Sequence, residues 1–166
     1  MPTNRTIDDT YGDSETGLQV VYSDRWNIGQ LCPGCSVQPD PTEAFEGTWH
    51  DTTSSSTADP RTATITFFGT AIWVHCILVD SGKKGVTIFT NASFELDGVP
   101  SGTFQHTPDA NEDQYLYNVV VFSKVDLSHT NHTLVITAEM GSTESLLLFD
   151  WAMYTCVSAS LSQPSL

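Results

Sequence analysis

The groups in this sequence best suited to chemistry are aromatic side chains set beside hydrogen-bonding ones. Trp26 follows Asp24 at a spacing of two, Trp49 precedes His50 and Asp51, and Tyr11 and Tyr115 sit in polar stretches, the latter near Asn111. Sugars offer flat C–H faces that stack on Trp and Tyr, while Asp, Asn and His bind their hydroxyls. A mostly apolar site with a few placed polar groups is what small ligands require. The candidate ligand set is therefore Tyr11, Trp26, Trp49, His50, Asp51, Asn111 and Tyr115. Ordinary strand packing competes for the same aromatics, and Trp73 and Trp151, inside apolar runs, are assigned to the core or a sheet surface.

Other chemistries find less support. Cys32-Pro-Gly-Cys35 has the spacing of a redox motif. Such motifs open a helix in a βαβ context, and none is expected here, so CPGC reads as a loop staple. His129 and His132 have HxxH spacing across a turn, with no third ligand for zinc. There is no nucleophile-elbow serine and no Gly-rich phosphate loop. Carboxylates are plentiful, so a glycosidase pair is not removed by counting, but the reading is a non-enzyme.

The balance of 6 Lys+Arg against 20 Asp+Glu gives a formal charge of −14. Nucleic acid and anionic membrane surfaces both need neutralising cations, so neither is an expected partner. No apolar run is long enough to span a bilayer, so direct membrane insertion is not expected. MPTNRTIDD has no apolar stretch and does not read as a signal peptide. Three sequons nevertheless point to an extracellular location, secreted or at the cell surface, with Asn4, Asn91 and Asn131 as acceptors. An oxidising exterior lets the four cysteines pair. Four cysteines allow three pairings that sequence does not decide; the favoured set is Cys32–Cys35 with Cys76–Cys156.

These residues must be positioned by strands. In Thr62–Val79, Ala63, Ile65 and Phe67 share one phase and Thr62, Thr64 and Thr66 the other; after Gly69-Thr70, Ile72, Val74, Cys76 and Leu78 oppose Trp73, His75 and Ile77. Period-two alternation of β-branched and aromatic residues is a strand signal, and the Gly between the runs suggests a hairpin or a sharply bent pair. Further short strands are expected along the chain, including Val86–Thr90, Tyr115–Phe122, His132–Ala138 and Leu146–Val157, with one helical turn over Pro41–Gly47. Roughly ten strands at close spacing predict an all-β, two-sheet antiparallel sandwich. One domain is expected over residues 1–158, with 159–166 as a tail or linker.

Several segments together resemble the galactose-binding-domain-like jelly roll of fungal secreted or membrane-anchored proteins. They are Ile7-Asp8-Asp9, Tyr22–Trp26, Gly47–Asp51, Ile65–Val74, Phe94–Gly98, His132–Ile136 and Leu148–Ala152. The resemblance implies a jelly roll whose first and last strands are close, acting as a carbohydrate-binding module on a glycan or cell-wall polysaccharide. It also implies a structural Ca²⁺ between acids of the first strand and an Asp of the last, which places Asp8, Asp9 and Asp150 as metal ligands, with Asp13 a further oxygen donor. The alternatives are a structural or protein-interaction ectodomain and a small glycoside-acting enzyme.

Overall fold

A computed structural model describes residues 1–158; the expected tail at 159–166 lies outside them. The strands are β1 (Pro2–Asp8), β2 (Gly12–Asp13), β3 (Val21–Tyr22), β4 (Asn27–Ile28), β5 (His50–Ser54), β6 (Arg61–Gly69), β7 (Ala71–Val79), β8 (Thr90–Leu96), β9 (Val99–His106), β10 (Tyr115–Lys124), β11 (Thr130–Ala138) and β12 (Ser145–Val157). One sheet runs β10-β7-β12-β1-β2, with β5 paired to β12 and β4 to β5; the other runs β3-β6-β11-β8-β9. All pairings are antiparallel, and β1 lies against β12 over its whole length, as a jelly roll requires.

The phases read from the sequence set the core. Ala63, Ile65 and Phe67 of β6 and Ile72, Val74, Cys76 and Leu78 of β7 are buried together between the sheets. Burying a side chain of this size contributes about 1.5–3 kcal/mol, so this stripe alone fixes which face each strand turns inward. The expected hairpin is not formed. β6 pairs with β11 and β7 with β12, so the chain changes sheets at Gly69-Thr70. Gly69 is needed there because a Cβ would sit 2.4 Å from the Thr155 carbonyl oxygen. This is the bent pair, not the hairpin.

The outward phase of β7 is buried as well. Ile77 and Val79 join Leu146, Leu148, Val37, Ala44 and Trp49 in a second apolar cluster, because the irregular segment between β4 and β5 folds over that face of the sheet. Two hydroxyls tie this segment down: Tyr115 accepts from the Gln38 amide (3.1 Å) and Tyr117 from the Asp40 amide (2.7 Å). The helical turn expected over Pro41–Gly47 is a short 3₁₀ turn at Phe45–Gly47 within it. Residues 86–89, expected as a strand, carry no ladder and form a loop before β8.

Candidate functional site

Strand β5 is the element on which the site is built. It lies between β4 and β12, with Asp51 opposite Asn27 on one side and Leu148 on the other. Because side chains alternate along a strand, His50 and Asp51 face opposite sides of the sheet. Asp51 is only 5% exposed. Its two oxygens accept from Asn27 Nδ2 (2.9 Å) and Trp49 Nε1 (3.2 Å). Burial pushes its carboxyl above the ordinary range, and the bonds from Asn27 and Trp49 offset only part of that.

Asp51 lines a cleft of about 320 Å³ together with Asn27, Thr53, Thr87, Val86 and Leu146, closed at one side by Cys35-Ser36-Val37. The polar groups lie on β4, β5 and the 86–89 loop, and the aliphatic ones form walls. The Cys32–Cys35 disulfide sets the near rim. Gln38 Nε2 donates to the carbonyls of Cys32, Pro33 and Cys35, which locks the loop around the bridge. Beneath it, Gly29 leaves room for the indole, since a Cβ there would lie 1.9 Å from Trp49 Nε1. The result is a preformed recess holding a desolvated carboxylate beside an amide, a pairing suited to adjacent sugar hydroxyls.

On the opposite side of β5, the chain gathers a second polar group. Thr48 Oγ1 donates to both Asp8 and Asp9, and the Asp9 amide donates to the Asp150 carbonyl (3.1 Å). Asp8, Asp9 and Asp150 are thus brought together, as the resemblance implied, and all three are buried. Their oxygens face protein donors. Asp8 accepts from the Thr10 and Tyr11 amides, Asp9 from Thr10 Oγ1 and His50 Nδ1 (2.6 Å), and Asp150 from the Phe45 amide (3.0 Å). Burial, then repulsion from Asp9 and Asp8, pushes the Asp150 carboxyl up to about 8. Asp13 is elsewhere, accepting from the Tyr154 hydroxyl (2.8 Å). Among the described residues no group of three or more His, Cys, Asp and Glu side chains is arranged to hold a metal ion. As arranged, the residues do not fit the calcium that the resemblance implies.

The remaining predicted residues scatter. Trp49, expected near a rim, is 1% exposed and reaches the cleft only through Asp51. Trp26 is half-buried against Tyr22, whose ring also stacks on His50 at 4.1 Å. Tyr11 is 61% exposed on the turn after β1, Asn111 bonds within its own acidic loop to Asp109, and Tyr115 anchors the covering segment. The cleft residues Asn27, Thr53 and Thr87 were not picked out from the sequence; the one signal was Asn27 beside Trp26. Asn4 and Asn131 are exposed, whereas Asn91 is 9% exposed within β8.

The Cys76–Cys156 pairing is corrected: both are free thiols. Cys76 lies opposite Phe149, seven residues before Cys156 on the same strand, which puts the two about 23 Å apart at the rise of an extended chain.

No family model and no curated protein matches the chain. Solved structures do. The Agl-KA catalytic domain is similar over 99% of this chain and 29% of its own, with 11% identity and a TM-score of 0.52. An exo-β-1,3-galactanase from Phanerochaete chrysosporium, solved with β-1,3-galactotriose, covers 91% of this chain and 29% of its own at 14% identity and a TM-score of 0.49. A Podospora anserina GH26-CBM35 β-(1,4)-mannanase covers 96% and 29%, at 9% identity and a TM-score of 0.49. The chain therefore spans less than a third of the structures it matches. What is shared is the β-sandwich fold. The non-enzyme expectation is corrected by the first of these matches: the fold is shared with part of a chain named as a catalytic domain, so an all-β sandwich is no ground for setting enzymes aside.

Proposed function

We propose that this chain is the glycan-binding β-sandwich of an extracellular carbohydrate-active protein, with the cleft over Asp51 as its binding site. The observation that carries the reading is Asp51 itself. A buried carboxylate costs stability unless something repays its desolvation, and this one stands at a preformed recess beside Asn27 rather than against a cation. Each Asp51 oxygen accepts one bond, from Asn27 or Trp49, and sugar hydroxyls in the recess donate to the lone pairs that remain. The extracellular part rests on the Cys32–Cys35 bridge and on the exposed sequon residues Asn4 and Asn131, which we take as the glycosylated pair; Asn91 is enclosed. The reading is tested by a glycan array probed with the wild-type chain and with Asp51→Asn. Binding by the first and not the second supports it. An array on which the wild type binds nothing would favour the protein-interaction ectodomain instead.

A further inference from the structure

The Asp51 cleft does not end at its own rim. Val86 and Thr87 also line a neighbouring cleft of about 430 Å³, completed by Ile88, Phe89, Pro108 and Glu144. The 86–89 loop is therefore a wall common to both. It is low at its start: Gly85, exposed and at φ +84°, carries no side chain, and a Cβ there would meet nothing within 4 Å. Thr87 bridges the two recesses chemically, since its hydroxyl donates to Glu144 Oε2 (2.9 Å) on the far side. Each cleft alone is at the small end of the roughly 300–1,000 Å³ that small-molecule sites occupy, and together they reach its middle.

Resting on the glycan reading above, we propose that the site runs from Asp51 over the 85–87 saddle into the second cleft. The ligand is then a stretch of at least three sugars rather than a single terminal residue. One ring is held by Asp51 and Asn27, the next crosses at Thr87, and a third lies against Phe89 and Pro108 with Glu144 on its hydroxyls. The first cleft has aliphatic walls and no aromatic ring; the second adds Phe89, and so contributes the stacking that a sugar face requires.

The test is calorimetric titration with β-1,3-galactan, β-1,3-glucan and β-1,4-mannan oligosaccharides of one to six residues. Wild type is compared with Glu144→Ala and Thr143→Arg, two exposed positions at the second cleft, each checked for an unchanged melting temperature. The expected result is at least a tenfold gain in affinity from one to three residues in one ladder, lost in both variants, with monosaccharide affinity kept in Thr143→Arg. Equal affinity for all lengths, with both variants like wild type, overturns the extended site and leaves the Asp51 reading standing. No binding of any ladder by the wild type overturns both.

Discussion

Replacing Asp51 separates what the fold needs from what the site needs. The carboxylate accepts from Asn27 and from Trp49, whose indole is enclosed. Asp51→Ala leaves the indole N–H without an acceptor, which costs about 1–3 kcal/mol. For a chain of this size that lowers Tm by roughly 2–12 °C. Asp51→Asn behaves differently. The new amide keeps one acceptor for the indole, and the Asn27 side chain can flip to give its carbonyl to the new N–H, so both bonds survive. The charge, however, is gone. Because burial raises the Asp51 carboxyl in the folded state, its contribution to stability is intact below the ordinary carboxylate range and is lost as pH rises through the raised value. The wild type should therefore lose stability relative to Asp51→Asn from about pH 4 upward, by at most about 1.4 kcal/mol per pH unit. Differential scanning calorimetry from pH 3.5 to 8 reads this directly. At pH 7, Asp51→Asn should melt at or above the wild type, and Asp51→Ala below it. If both variants fall equally, or if the wild-type-to-asparagine gap does not change with pH, the reasoning about a desolvated carboxylate is wrong.

Three other perturbations give distinct outcomes. His132 offers one ring nitrogen to Asp97 (2.7 Å) and the other to the Ser128 carbonyl (2.7 Å), and although burial works against its charge, the Asp97 and Ser128 bonds hold its pKa up. Its contribution is thus complete below the usual histidine range and fades as pH rises through the raised value, so His132→Gln should destabilise more at pH 5.5 than at pH 8.5; an equal loss at both would count against an imidazolium. Thiol labelling should find Cys156 reactive in the native protein and Cys76 only after unfolding, and a linked pair in a non-reducing peptide map would refute the register of β7 on β12. Millimolar calcium should leave Tm unchanged, because the oxygens of Asp8, Asp9 and Asp150 already face protein donors; a rise of several degrees would show that they re-aim at a cation.

The sheet architecture was legible where burial follows a period of two, as in β6 and β11. Ile65, Phe67, Ile72 and Val74 could be assigned inward from the sequence alone, and β1 against β12 followed from the resemblance. What escaped was everything set by register or by irregular backbone. The Cys76–Cys156 pair was plausible by strand but wrong by position along the strand, which a list of elements does not contain. The second apolar cluster needed a segment with no periodicity to fold over β7; its one sequence trace was that β7 had no polar phase, with Ile77 and Val79 among its outward residues. At the site, Asp51 was visible as a polar residue after Trp49, but its partner Asn27 was not. β4 is two residues long, and only the β4–β5 pairing brings it across. The exposed aromatics drew attention to stacking, whereas the structure gives the cleft a carboxylate and aliphatic walls.

The central claim is that glycan binds over Asp51 at the β4–β5 edge. Amide chemical shifts of the isotope-labelled protein, followed during titration with the best array ligand, locate the bound sugar directly. The largest changes are expected at Asn27, Asp51, Thr53, Val86 and Thr87, with none of comparable size on β6, β8 and β11. Shifts confined to the second sheet, or centred on Tyr11 and Trp26, would contradict it.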